Sequence, residues 1–109
     1  MKIINESQRD SWTEETKALS KVCQDTGYEL VDALWDDSLL IVKIAPISKY
    51  APEVNVVKQR GGSIEVKANT ASFGPLSSTD YEKYADQARK TYTLLKYLDK
   101  FDFDKLEHI

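Results

Sequence analysis

The stretch Leu39-Leu40-Ile41-Val42-Lys43-Ile44-Ala45 decides how this chain is read. It is the longest apolar run in the sequence and is rich in branched side chains, with acidic turn residues before it and Pro46 behind it. A run of that length and make-up predicts an interior β-strand with apolar neighbours on both faces. Such a strand needs partners on either side and a covering layer.

Tyr28 to Trp35 supplies the first partner, joined through Asp36-Asp37-Ser38. Placing Trp35 opposite Leu40 sets Ala33 against Val42 and Val31 against Ile44, which makes one wholly apolar face. The same register sets Asp32 opposite Lys43, an opposite-charge pair worth a few tenths of a kcal/mol. Downstream, Pro46 to Pro52 reads as a loop because each proline removes a ladder donor. Val54 to Arg60 and Ser63 to Asn69 then flank Gly61-Gly62, a two-residue hairpin turn on the expectation that glycine accepts positive φ. That turn sets Val57 opposite Val66, Gln59 opposite Ile64 and Lys58 opposite Glu65.

The cover comes from two helical stretches. Ser11-Trp12-Thr13-Glu14 fits a capping box, followed by Trp12, Thr16, Leu19, Val22 and Cys23 at helical spacing. Gly27 stands where a left-handed residue would end that helix, giving a helix from Trp12 to Asp25. Thr79-Asp80-Tyr81-Glu82 fits a second capping box, and Tyr81, Tyr84, Ala85, Ala88, Tyr92, Leu95 and Leu98 form the stripe expected to face the sheet, widened toward the C-terminus by Leu94, Tyr97 and Phe101. The order α-β-β-β-β-α predicts an α+β two-layer sandwich: an antiparallel meander of about four strands with the N- and C-terminal helices on one face. Residues 1–109 read as a single domain, with 1–8 and 102–109 as flexible ends.

Composition narrows the class of protein. With 41% hydrophobic and 30% charged residues the chain resembles an ordinary soluble globular domain. Its apolar runs fall short of the ~20 residues that span a bilayer. The opening Met1-Lys2-Ile3-Ile4-Asn5-Glu6 lacks the apolar core of a signal peptide, and Cys23 has no second cysteine to pair with, so the reading is cytoplasmic. The net charge of −3 is uneven, with nine acidic against four basic side chains in residues 1–40 and two against five in 41–79. The chain as a whole is therefore not expected to attract nucleic acid, although its middle third is basic.

The sequence holds little that signals chemistry. His108, the sole histidine, is the penultimate residue, a poor place for a rigidly held general base. Cys23 falls on the apolar stripe of the first helix and reads as a small buried hydrophobe. Histidine and cysteine show no metal-ligand spacing. Asp36-Asp37 at a hairpin tip reads as turn chemistry, with a carboxylate-based magnesium enzyme as the remote alternative. Gly61-Gly62 joins strand to strand and lacks the context of a phosphate loop. No cofactor is implied, and a non-catalytic module is expected.

Two surfaces remain. The element order is similar to that of the double-stranded RNA-binding domain, whose second helix opens with a lysine-rich phosphate grip. Here Thr79-Asp80-Tyr81-Glu82 stands in that place, and its carboxylates would repel phosphate. Lys43, Lys58, Arg60 and Lys67 form the alternative nucleic-acid face, on the outside of the sheet, with Tyr28 as its single stacking platform. The stronger feature is apolar. With one face of the first hairpin turned to the helices, Tyr28, Leu30, Leu34, Leu39 and Ile41 fall on the other, a patch wider than monomers usually leave in water. Either the C-terminal tail with Phe101, Phe103 and Leu106 covers that patch, or those five residues are the interaction site for a protein partner or a second copy of the chain.

Overall fold

The computed structural model describes residues 2–59, 61–69, 74–103 and 106, with side chains from residue 9 onward. Its elements in chain order are β1 (Lys2–Asn5), a 3-10 helix (Glu6–Ser11), α1 (Glu14–Asp25), β2 (Tyr28–Asp36), β3 (Leu39–Pro46), β4 (Val54–Gln59), β5 (Ile64–Ala68) and α2 (Ser78–Lys100). The α+β class and the antiparallel meander are as the sequence predicts. The sheet is longer by one strand: β1 pairs antiparallel with β2, giving the order β1-β2-β3-β4-β5.

Both helices start away from their expected caps. The Thr13 hydroxyl, not that of Ser11, accepts the Thr16 amide at 3.2 Å, so α1 begins at Glu14 and Trp12 precedes it as a buried anchor. Glu14 and Glu15 in the first turn suit the positive end of the helix dipole. Gly27 follows with φ 86°, the left-handed residue that the sequence anticipates. At α2 the cap is Ser77. Its hydroxyl accepts the Asp80 amide at 3.2 Å and donates to Asp80 Oδ2 at 3.0 Å, a reciprocal arrangement two residues earlier than the expected one.

The first hairpin departs from a regular ladder at one point. Trp35 pairs with Leu40, Ala33 with Val42 and Asp32 with Lys43, as expected, but Leu30 and not Val31 lies opposite Ile44. Val31 is an inserted residue, a β-bulge. The insertion reverses the facing of everything before it, so Tyr28 and Leu30 point into the core and are 0% exposed. The core face of the sheet therefore carries Leu30, Ala33, Leu40, Val42, Ile44, Val54 and Val56, packed under Leu19 and Cys23 of α1 and Leu94 and Leu98 of α2. Phe103 and Leu106, past the end of α2, are buried in the same core.

The second hairpin is shifted by one residue from its expected register. Val56 pairs with Val66, Val57 with Glu65 and Lys58 with Ile64. The connection is consequently longer than Gly61-Gly62 alone. The Gly62 amide bonds the Gln59 carbonyl at 2.9 Å, and Gly61 takes φ 71° at the third turn position, where a side chain would be strained. The physical cause is burial: this register puts Val54 and Val56 beside Val42 and Ile44 on the core face and leaves Val57 outside.

α2 buries Leu94 and Leu98 of the expected stripe, but its N-terminal half is rolled away from it. Gln87, Thr91, Leu94 and Leu98 are its buried residues, while Tyr81 and Tyr92 are each 61% exposed. The N-terminal half of this buried stripe is polar because it meets polar backbone. Gln87 Nε2 donates to the Thr26 carbonyl at 2.9 Å and to Thr91 Oγ1 at 3.2 Å. The Tyr28 hydroxyl lies 3.0 Å from Thr91 Oγ1 and donates to the Pro52 carbonyl at 2.6 Å. A buried phenol without such partners would cost several kcal/mol, so the Pro52 carbonyl and Thr91 are what permit Tyr28 inside, with Gln87 fixing the Thr91 hydroxyl.

Candidate functional site

One face of the five-stranded sheet is covered by α1 and α2. The other is left uncovered by α1 and α2, while the 3-10 helix packs at its β1–β2 end, where Arg9 lies 3.9 Å from Glu29. Its side chains follow from the registers. Leu34, Ile41, Val57 and Glu65 form one cross-strand row, and Asp32, Lys43, Asn55 and Lys67 form the next. Leu34, Leu39, Ile41 and Val57 are half-buried, with Val31 beside them, and Asp32 is buried, while Lys43, Asn55, Glu65 and Lys67 are exposed. The apolar row thus runs across β2, β3 and β4 and ends in charge at the sheet edge. Val31, Ile41 and Val57 help to line a shallow trough of about 420 Å³ between β3 and β4.

The expected interaction set is divided by the bulge. Leu34, Leu39 and Ile41 lie on the open face. Tyr28 and Leu30 do not, because the extra residue at Val31 turns them to the helices. Val31 and Val57 take their place on the open face, and neither stands in the expected set. A signal for the bulge exists in the sequence: the apolar phase of β2 runs on even positions at Tyr28 and Leu30, then on odd positions at Ala33 and Trp35. A change of phase within one strand requires an inserted residue if both halves are to face the same core.

The basic set is also dispersed. Lys43 and Lys67 share the open face, but the Lys67 ammonium lies 2.7 Å from Glu65, which holds its pKa above the ordinary lysine value. Lys58 sits on the core-face row between Leu40 and Ile64 and is half-buried. Arg60 lies outside the described residues. Tyr28, the intended stacking platform, is fully buried. The edge strand β5 is guarded by the Glu65–Lys67 pair, charge of the kind that discourages another strand from adding there.

The catalytic candidates have these placements. Cys23 is buried under the sheet, and desolvation pushes its thiol up to about 12. Asp36 and Asp37 are exposed at the β2–β3 turn, where Asp37 adopts φ 54°. His108 lies outside the described residues. Among the described residues, no group of three or more histidine, cysteine, aspartate or glutamate side chains could hold a metal ion. Among them too, no helix is long and apolar enough to cross a membrane. Comparison with protein-family models, curated proteins and solved structures finds no match to this chain.

Proposed function

We propose that this domain works by binding rather than by catalysis, and that its open sheet face takes a second copy of the same chain. The observation that carries the reading is the continuous apolar row Leu34–Ile41–Val57, flanked by Val31 and Leu39, on a face that α1 and α2 leave uncovered. The choice of partner rests on the symmetry of the rows. A two-fold axis parallel to the strands, passing between β3 and β4, brings Ile41 against the second copy's Val57 and Lys43 against its Asn55. An apolar pair and a charge-to-amide pair are thus each formed twice, and the same axis sets Asp32 opposite the second copy's Lys67 and Leu34 opposite its Glu65 at the rim. Five strands spaced roughly 4.8 Å apart give a face about 24 Å wide.

Sedimentation velocity over roughly 1–100 µM tests this. The wild-type chain should associate, and Ile41→Lys should lose the sheet contact while keeping its helical circular dichroism. If Ile41→Lys and wild type sediment alike at every concentration, the open face is not the self-association surface.

A further inference from the structure

The roll of α2 leaves a second apolar line in solvent. Tyr81, Ala85, Ala88 and Tyr92 fall within a sector of roughly 60° on the helix, at alternating spacings of four, three and four. Tyr81 and Tyr92 are the exposed large side chains of this helix, each at 61%. Tyr81 leans on Tyr84, with ring centroids 6.0 Å apart, and the Lys96 ammonium lies 5.8 Å from the Tyr92 ring. The buried residues Gln87, Thr91, Leu94 and Leu98 lie about a third of a turn away around the helix, so the domain's own core does not block this line.

The line is self-complementary about a single point. The midpoint of Tyr81 and Tyr92 is also the midpoint of Ala85 and Ala88. Two copies of α2 laid antiparallel about that point set Tyr81 level with the second copy's Tyr92, and Ala85 level with its Ala88. The alanines let the helix axes approach, and each tyrosine packs beside its counterpart. Glu82 and Arg89 flank the line on one side and are both exposed. In an antiparallel pair these flanking positions face each other across the seam, which brings Glu82 near the second copy's Arg89, twice by symmetry. From this geometry we infer that α2 forms an antiparallel helix pair with a second copy of the chain, through Tyr81, Ala85, Ala88 and Tyr92, with Glu82 and Arg89 fixing the register.

This contact lies on the helix layer, away from the open sheet face, so a chain that uses both contacts has two different two-fold interfaces and grows beyond a dimer. The inference goes beyond the proposed function, and one set of variants separates the two. In full-length Ile41→Lys protein, which lacks the sheet contact, the chain should still dimerise. Adding Glu82→Arg, which places like charges across the seam twice, should weaken that dimer about tenfold. Adding Glu82→Arg together with Arg89→Glu should restore it to within about threefold, because the swap returns the pairing. If Ile41→Lys is monomeric while wild type dimerises, the helix pair is wrong and the sheet contact stands. If Ile41→Lys and wild type form the same dimer, and only the charge variants change it, the sheet reading fails and the helix pair stands. A double swap that stays as weak as Glu82→Arg overturns the register and the inference with it.

Discussion

The Tyr50 hydroxyl donates to Asp80 Oδ1 at 2.7 Å, which ties the β3–β4 loop to the first turn of α2. That bond, then the one from Ser77, holds the Asp80 carboxyl below its ordinary value. A carboxyl lowered by folding stabilises the protein above its unfolded value, near 3.9, and loses that contribution as pH falls through the folded value. Asp80→Asn should therefore melt below wild type at pH 7, with the gap closing as pH falls below about 4 through the lowered folded value. Thermal melts across that range are the check. A gap of constant size down to the lowest pH would mean that the carboxylate charge plays no part.

The bulge makes Leu30 and Leu34 unequal, although each belongs to the apolar set that the sequence places on one surface. Leu30 is 0% exposed under the helices, whereas Leu34 is half-buried on the open face. Leu30→Ala should cost about 3 kcal/mol and Leu34→Ala about 1 kcal/mol. Urea denaturation of both variants, below the concentration at which the chain associates, measures the difference. Equal losses, or the reverse order, would require an unbulged β2.

Gly27 carries two constraints at once. Its φ of 86° is costly for any residue with a Cβ, and a Cβ built there would sit 2.8 Å from Gln87 Oε1 and 3.2 Å from Ser48 Cβ. Its carbonyl also accepts the Ile47 and Ser48 amides at 2.9 and 3.1 Å. Gly27→Ala should destabilise by roughly 2–4 kcal/mol, the left-handed penalty plus displacement of Gln87. At this chain length that lowers Tm by about 10 °C or more. A loss below about 0.5 kcal/mol, as at an open surface site, would show that Gln87 does not pack against this turn.

Much of the sheet is legible residue by residue because local chemistry specifies it. Asp36-Asp37-Ser38 closes the first hairpin, and the Trp35–Leu40, Ala33–Val42 and Asp32–Lys43 pairs follow from that turn. The glycine-rich second hairpin is less constrained, since Val56 and Val57 offer either register to Val66. Only the neighbouring β3 chooses, by pairing Val42 with Val56. The N-terminal half of the α2 stripe is misread for a related reason. Hydrophobic spacing counts Tyr81, Ala88 and Tyr92 as core, but it cannot register that the opposing surface offers the Thr26 carbonyl and the Tyr28 hydroxyl.

The sequence alone determines the class: an apolar branched strand at Leu39–Ala45, two capped amphipathic helices, and turn residues spaced for a meander. These are local matters of backbone preference and periodicity. Tertiary structure decides which side of each element faces inward, because facing is set by total burial and by the pairing of every buried polar group. The inserted Val31 draws Tyr28 inside, Gln87 and Thr91 turn α2 to meet it, and Tyr81 and Tyr92 are left in water as a consequence.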